Sequence, residues 1–116
     1  MSATCIRNIE HEKALSLAAL VDYQPGQIVS RTLAQNGAVS LTLFAFDKGE
    51  EISSHDSSGD AMLTVLEGDA LITVGGQPHR LTGGETIIMP ANIPHAVEAT
   101  DRFKMQLTVI FPQTKA

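Results

Sequence analysis

The chain has 116 residues, 43% of them hydrophobic, and a formal net charge of −5. This length suits a single domain, and the hydrophobic content is that of a folded protein rather than a disordered one. The acidic balance and the absence of Lys/Arg clusters argue against nucleic acid and against an anionic membrane surface as partners. Without a membrane-spanning apolar run or an N-terminal signal segment, the sequence predicts a cytoplasmic protein.

Residues 1–34 are predicted to form an N-terminal arm that precedes the main domain. Cys5 is the only cysteine, so an intramolecular disulfide and a thiolate metal cluster are excluded, and no neighbouring residue marks it as an activated nucleophile. The following apolar residues keep neither the helix nor the strand period, and they predict only a short helical turn near 17–20. A Pro-Gly turn signal at 24–26 ends this stretch. Ile28–Leu33 is then predicted as an edge strand.

Residues 35–116 have the rhythm of short strands separated by turns, and they are predicted to form one barrel domain. The Asn36-Gly37 dipeptide favours a tight hairpin that leads into a long strand, Ala38–Phe46. The polar, Ser-rich segment around His55 is not assigned a strand, and a turn is predicted at 67–69. The spacing of strands and turns is typical of an all-β sandwich or barrel. Further strands are predicted at 61–66, 70–74, 79–81, 86–89, 95–99 and 103–111.

Two glycine-bounded stretches carry the candidate site. The first, Gly49 to Gly68, reads GEEISSHDSSGDAMLTVLEG, and the second, Gly84 to His95, reads GETIIMPANIPH. Each contains one histidine beside a strand, His55 in the first stretch and His95 in the second. In a closed β architecture both side chains are able to face one interior. Two prolines make the loop before His95 rigid, because proline fixes φ and supplies no N–H.

The first stretch resembles the first signature motif of the cupins, small double-stranded β-helix proteins related to the jelly roll. That motif has a glycine, five residues, a His-x-His pair, a glutamate and a second glycine. Gly49, His55 and Gly68 match it at the motif spacing. Ser57 stands at the position of the second histidine, and Ala61 stands at that of the glutamate.

The second stretch resembles the second cupin motif. Gly84, Pro90 and His95 match it, whereas Ala99 stands where the motif has an asparagine. Together the two motifs extend the resemblance over roughly residues 39–112, which is most of the chain. The resemblance implies an all-β fold, a jelly-roll cupin barrel preceded by a short N-terminal arm.

The resemblance also implies a metal site, since cupins usually bind a divalent metal through these histidines and the glutamate. The implied cofactor is a transition metal such as Zn, Mn, Fe or Ni, with His55 and His95 as the retained ligands. Two neutral nitrogens fall short of the three or four donors of a stable site, and neither offsets the charge of a dication. Two interpretations remain open: a weak site completed by water or by a chelating ligand, or no specific metal.

The alignment with the motifs further predicts a ligand pocket inside the barrel. A small apolar pocket with a few polar groups is typical of a binding site. A purely structural role is the alternative for three of the predicted lining residues. His55 would be an ordinary loop histidine, His95 would anchor its loop, and Met105 would only fill the core. The predicted lining consists of His55, Ser57, Ala61, Leu63, Val65, His95, Val97 and Met105.

Three functions compete, and no catalytic residue is assigned for any of them. Binding of a small molecule without catalysis ranks first, because the fold is retained while the metal set is halved. A metal-dependent enzyme, namely a dioxygenase, isomerase, decarboxylase or lyase acting on a small organic acid or sugar, ranks second. A structural or oligomerising module ranks third.

A homodimer is predicted from the strand edges and from the outer surface of the barrel. Small barrels leave unpaired edges, and edges invite pairing unless they are covered. The apolar outer face of Ala38–Phe46 also needs cover. The Ile28–Leu33 segment is a candidate to cross to a partner.

Overall fold

The computed structural model describes residues 5–113, and it confirms an all-β jelly-roll architecture with one short helical turn. Residues 1–4 of the predicted arm and 114–116 of the predicted barrel lie outside the described part. No helix in the described part has the length and apolar character needed to cross a bilayer. The elements are a 3-10 turn at Leu17–Leu20, as predicted, and β1 Ile28–Gln35, β2 Val39–Phe46, β3 Glu51–His55, β4 Asp60–Val74, β5 Gln77–Thr82, β6 Thr86–Met89, β7 His95–Glu98 and β8 Phe103–Ile110.

The strands form two antiparallel sheets that share β4. The first sheet has the order β1-β2-β8-β4-β6, and the second has the order β3-β7-β4-β5. The first half of β4 pairs with β8 and β6, and its second half pairs with β5 and β7. One strand therefore passes from one layer of the sandwich into the other and joins them.

The predicted turn at 67–69 is wrong, because β4 continues through it as one strand of 15 residues. The pairing of β4 with β8 shifts register between Val65 and Glu67, and Gly68 has a φ of 89°. A bulge uses the same positive-φ glycine as a turn does, but it bends and twists the strand instead of reversing it. The bend is the point at which β4 leaves the first sheet for the second.

The segment before His55 is also a strand, which the sequence did not predict. Its backbone pairs with β7, although four of its five side chains are exposed and only Ile52 is partly buried. Pairing with a neighbouring strand, rather than composition, decides this element, as is common at sheet edges.

The main core lies between the two sheets and is chiefly aliphatic. Alternate residues of β4 and β8 point inward, and Leu63 and Val65 have no exposed surface. Phe46 and Phe103 stack with ring centroids 4.5 Å apart and close one end of this core. The other buried members include Ala61, Ala70, Ile72, Leu81, Met89, Val97, Ala99, Met105 and Val109.

A second, smaller core lies on the outer face of the first sheet, where the N-terminal arm covers it. Leu43 and Ala45 of β2 point outward yet are fully buried, because Val21 and partly buried residues of the arm pack on them. β1 pairs with β2 of its own chain. The chain thus covers the outer face of Ala38–Phe46 by itself. The homodimer stays a prediction, and this face no longer argues for it.

Polar contacts also hold the arm. The Tyr23 hydroxyl donates to Glu67 Oε2 at 2.7 Å. Its ring centroid lies 5.3 Å from the Arg102 guanidinium carbon and 4.9 Å from Lys104 Nζ, within cation–π range. The buried Lys104 ammonium donates to the Ala18 carbonyl at 2.6 Å. Burial, and then the Glu67 carboxylate, raise the pKa of Tyr23, so this hydroxyl stays protonated and able to donate.

We expect Gly68→Ala to be strongly destabilising. A Cβ there would overlap the Arg102 carbonyl oxygen and the Phe103 backbone, in addition to adopting a positive φ. Left-handed strain of roughly 1–2 kcal/mol and overpacking of roughly 1–3 kcal/mol together predict a loss of about 2–5 kcal/mol in unfolding free energy. Gly76→Ala is the matched control, because Gly76 has a φ of 82° but open space around it. Equal losses for both variants in urea titrations would show that the close approach at Gly68 contributes nothing.

Asp47 makes the stability of the arm sensitive to acid. Its carboxylate accepts a hydrogen bond from the Gly26 N–H at 2.6 Å and another from the Arg102 Nε–H at 2.9 Å. These bonds, the one from Gly26 most of all, lower the pKa of Asp47 from 3.8 to about 2. A lowered folded pKa means that the contribution is complete above pH 3.8 and disappears as pH falls through about 2. Thermal melts of Asp47→Asn should therefore show lower stability at neutral pH and a smaller loss in this acid range. Asp22→Asn, at an exposed position of the arm, should behave as the wild type does.

Candidate ligand site

His55 and His95 meet where the last residue of β3 faces the first residue of β7. They are Cα partners across these strands, and their rings pack edge to face with centroids 4.4 Å apart and planes at 68°. The two rings therefore approach each other as predicted, but His55 is exposed and not enclosed inside the barrel. The approach depends on one extra residue in β3, since Ile52 pairs with Val97 while His55 pairs with His95. Strict alternation would put His55 on the opposite face from Ile52, and the bulge brings it back to the same face.

The loop at residues 90–94 sets the position of His95. Its Asn92 has a φ of 65°, and the Asn92 N–H donates to the Ser57 carbonyl at 2.7 Å. The Ala91 N–H donates to Asp60 Oδ1 at 2.8 Å, and the Pro94 carbonyl accepts the Gly75 N–H at 2.8 Å. The loop is thus tied to the β3–β4 loop on one side and to the β4–β5 turn on the other. These ties make the start of β7 a rigid support for the imidazole.

Backbone carbonyls fix the tautomer of both rings. His55 Nδ1 lies 2.9 Å from the Ser53 carbonyl oxygen, and His95 Nδ1 lies 3.3 Å from that of Ile93. A carbonyl oxygen only accepts, so Nδ1 donates in each neutral ring and Nε2 keeps the lone pair. The site therefore offers two imidazole nitrogens as acceptors or as metal donors.

Burial keeps His95 neutral. The residue is only 5% exposed, whereas His55 is exposed. Burial is the largest cause that lowers the pKa of His95, and the positive charge that His55 can carry lowers it further. The Ile93 carbonyl and the Asp56 carboxylate act in the opposite direction but do not outweigh burial. A neutral imidazole is the form that accepts a hydrogen bond or binds a metal.

The two positions at which cupins usually have further ligands supply no third donor to this pair. Ser57 Oγ accepts the Gly59 N–H at 3.2 Å within its own loop, and Ala61 is buried in the core. The carboxylate of Asp60 accepts the Ala91 N–H. Within residues 5–113 no group of three or more His, Cys, Asp or Glu side chains could hold a metal ion. The residues present therefore do not fit a self-sufficient metal centre.

The predicted apolar lining lies in the packed interior below the histidine pair. Leu63, Val65 and Met105 are at most 1% exposed and belong to the main core, together with Val97. The register adds Val74, the Cα partner of His95 on β4, which the sequence interpretation did not include. Its position follows only from the pairing of β4 with β7, so no local pattern could reveal it. Whether these residues line a bound ligand stays a prediction.

Two cavities open on the elements that carry the pair. One of about 190 Å³ lies against β3, β4 and β7, and its lining includes Glu51, Ala96 and Glu98. The other, of about 360 Å³, lies between the β3–β4 loop, the 90–94 loop and the end of β8. Neither is lined by His55 or His95. A ligand at the pair would thus approach from the side of the exposed His55 ring.

Comparison with known proteins agrees with the two motifs and the strand order. The family model described as Cupin domain matches residues 42–111. The chain belongs to the cupin family. The matched region of this cupin runs from within β2 to just beyond β8 and includes both histidines, whereas the arm and β1 lie outside it. No curated protein matches the cupin.

Solved structures extend the likeness to the whole described fold. A conserved protein of unknown function from Streptococcus pyogenes is 45% identical with a TM-score of 0.94, covering 98% of this cupin and 100% of that chain. A cupin superfamily protein from Desulfitobacterium hafniense is 33% identical with a TM-score of 0.88, covering 92% and 98%. Salicylate 1,2-dioxygenase from Pseudaminobacter salicylatoxidans is 16% identical with a TM-score of 0.67, covering 75% and 27%. The last likeness shows a shared fold alone.

We expect the pKa of His95, followed by imidazole NMR shifts with chelator present, to lie below its ordinary value of 6.5. His55→Gln should raise it, because a neighbouring charge is removed, but burial should keep it below 6.5. The unfolded chain takes up the proton more readily, so stability should fall as pH drops below 6.5 and level off below the folded pKa. His79→Gln, on exposed β5, should leave the His95 titration unchanged. A His95 pKa at or above the ordinary value would contradict the burial argument.

Proposed function

We propose that this cupin binds a small molecule at the His55–His95 pair without catalysing its conversion. The main support is the edge-to-face pair itself, in which backbone carbonyls fix both rings as Nδ1–H tautomers. Both Nε2 atoms then present lone pairs to the same ligand. Most of the predicted apolar lining is buried in the main core, which leaves little room there for a ligand.

The donor count favours a ligand that brings its own charge and chelating atoms. Two neutral nitrogens bind a divalent ion weakly, and the ion needs two or more further donors. A small organic acid with adjacent carboxylate and hydroxyl oxygens supplies both the donors and the negative charge. Metal binding in this proposal is weak, or completed by such a ligand.

The alternative is a metal-dependent cupin enzyme that acts on a small organic acid or sugar. It draws on the fold shared with salicylate 1,2-dioxygenase, but a likeness at this identity concerns the fold only. Metal-dependent turnover of a chelating acid would favour the enzyme over the binding protein.

The cytoplasmic location is likewise proposed and rests on sequence composition.

Salicylate and Zn²⁺ are suitable probes of the proposed site, because salicylate chelates through a carboxylate and an adjacent hydroxyl. In isothermal titration, salicylate should bind at least roughly tenfold more tightly when Zn²⁺ is present than without it. His95→Ala should abolish this difference. His79→Ala is the matched control, since it removes an exposed histidine from β5, and it should keep the difference. Equal Zn²⁺-dependent binding by both variants would overturn the proposed site.

Restoring the missing ligands tests the alignment with the cupin motifs. Ser57→His combined with Ala61→Glu should tighten Zn²⁺ or Mn²⁺ binding by orders of magnitude. The affinity of both proteins should decrease as pH falls below 6.5 toward the lowered pKa of His95, because a protonated imidazole cannot bind a metal. Ala61 is buried, so the fold of the double variant must first be checked by NMR. If the variant folds normally yet binds no more metal than the wild type, the alignment is wrong.

A further inference from the structure

Four strands form the edges of the two sheets within the described residues, namely β1 and β6 in the first sheet and β3 and β5 in the second. An unprotected edge strand pairs readily with another chain. Proteins protect such edges with bulges, charges, prolines or covering segments, or by keeping the edge strand very short. The four edges differ sharply in this respect.

Three of the four edges carry protection. In β1 the register shifts after Thr32, and the arm bonds to the strand: the Arg7 N–H donates to the Leu33 carbonyl and Asn8 Nδ2 to the Thr32 carbonyl, both at 2.7 Å. β5 contains Pro78, together with a charged arginine and a histidine. β3 contains the bulge next to His55 and begins with a glutamate.

The fourth edge, β6, is only four residues long, but it has none of the other devices. Its sequence, Thr-Ile-Ile-Met, contains no charge and no proline. It pairs with β4 in continuous register, from Ala61 opposite Met89 to Thr64 opposite Thr86. It is a short, regular and uncharged edge strand.

The pairing with β4 shows which backbone groups of β6 are free. The Val65 N–H donates to the Glu85 carbonyl at 2.9 Å. Hydrogen-bonded and non-bonded pairs alternate along an antiparallel ladder, so Leu63–Ile87 is a bonded pair. The N–H and C=O groups of Thr86 and Ile88 therefore point away from β4, toward the open edge.

An exposed apolar patch accompanies this edge on the outer face of the first sheet. Ile88 is 50% exposed, and Met62, its Cα partner on β4, is 46% exposed. Ile110 of β8 continues the patch at 53%. The arm covers the outer face at Leu43 and Ala45, and these three side chains lie beyond it. We call Met62, Ile88 and Ile110 the β6 patch.

We propose that β6 pairs with β6 of a second copy of this chain about a two-fold axis at Ile87. In this register Thr86 of each copy faces Ile88 of the other, and Ile87 faces itself. The free groups of Thr86 and Ile88 then form four hydrogen bonds across the axis. The first sheet of each copy has five strands. In the dimer, the first sheets of the two copies become one continuous ten-stranded sheet.

Symmetry and charge favour a second copy as the occupant. A two-fold contact must be self-complementary, and this register pairs the free groups of one β6 with those of the other without a remainder. The chain has a net charge of −5, so two copies repel each other over most of their surface. The strand and the β6 patch are uncharged, which allows the same surface to meet itself.

Ile88→Pro gives a selective test by sedimentation equilibrium. It removes an N–H that is used only across the proposed axis, while the bonds of β6 to β4 stay intact, and edge strands tolerate proline. Two of four intermolecular bonds are lost, so the dimer dissociation constant should rise roughly thirtyfold. Leu15→Lys, at an exposed aliphatic residue of the arm, is the control and should leave the dimer unchanged. Ile88→Lys provides a second variant in case the proline variant does not fold.

Cysteine cross-linking tests the register. In a Cys5→Ser background, Ile87→Cys should form a disulfide-linked dimer on oxidation, because a non-bonded pair has a Cα separation of about 4.5 Å, within disulfide range. Thr86→Cys is the matched control. It faces Ile88 rather than itself and should cross-link more slowly.

Three results would overturn the proposal. The first is a wild type that stays monomeric across micromolar concentrations. The second is a dimer whose dissociation constant does not change in Ile88→Pro or Ile88→Lys. The third is cross-linking that is as fast at Thr86→Cys as at Ile87→Cys. A dimer that is disrupted by Leu15→Lys instead would place the interface on the arm.

Discussion

The structure depends on a single long strand that belongs to both sheets. β4 contributes hydrogen bonds to β8 and β6 before the bend and to β5 and β7 after it. The bend requires a residue without a side chain, because Gly68 lies against the Arg102 and Phe103 backbone. Both the main core and the pairing of β7, which carries His95, follow from where β4 changes layers.

The geometry of the candidate site depends on a second, smaller irregularity. One extra residue in β3 places His55 on the inner side, opposite His95. The Ser53 carbonyl in β3 and the Ile93 carbonyl in the 90–94 loop then fix the rings through the backbone, not through other side chains. Among the described residues, the site lacks the carboxylate of a metal cage but brings two imidazole rings into edge-to-face contact.

The sequence was informative where side chains alternate and where tight turns separate the strands. The alternation in β2 and the first half of β4, together with the turn signals, predicted the all-β fold, and the two motifs predicted that the histidines meet. It was uninformative for β3, because that strand is exposed and has one partly buried apolar residue, Ile52. It was misleading at Gly68, since a glycine with positive φ suits both a turn and a bulge. The cover of β2 by the arm was not predicted, because the apolar residues of the arm lack a regular period.

The strand order has a consequence for the synthesis of the protein. β8, the last strand, lies between β2 and β4 in the first sheet, so the sheet has a gap at its centre until residues 103–110 are present. On the ribosome, β1 and β2 are able to form their hairpin, but β2 cannot be joined to β4 in the first sheet before β8 has emerged. Closure of the first sheet must therefore follow the synthesis of β8, and the closing contacts join segments far apart in sequence, which makes such folds slow to form. The emerging chain exposes unpaired apolar strands for that interval, and it is in this period that it is most prone to aggregation.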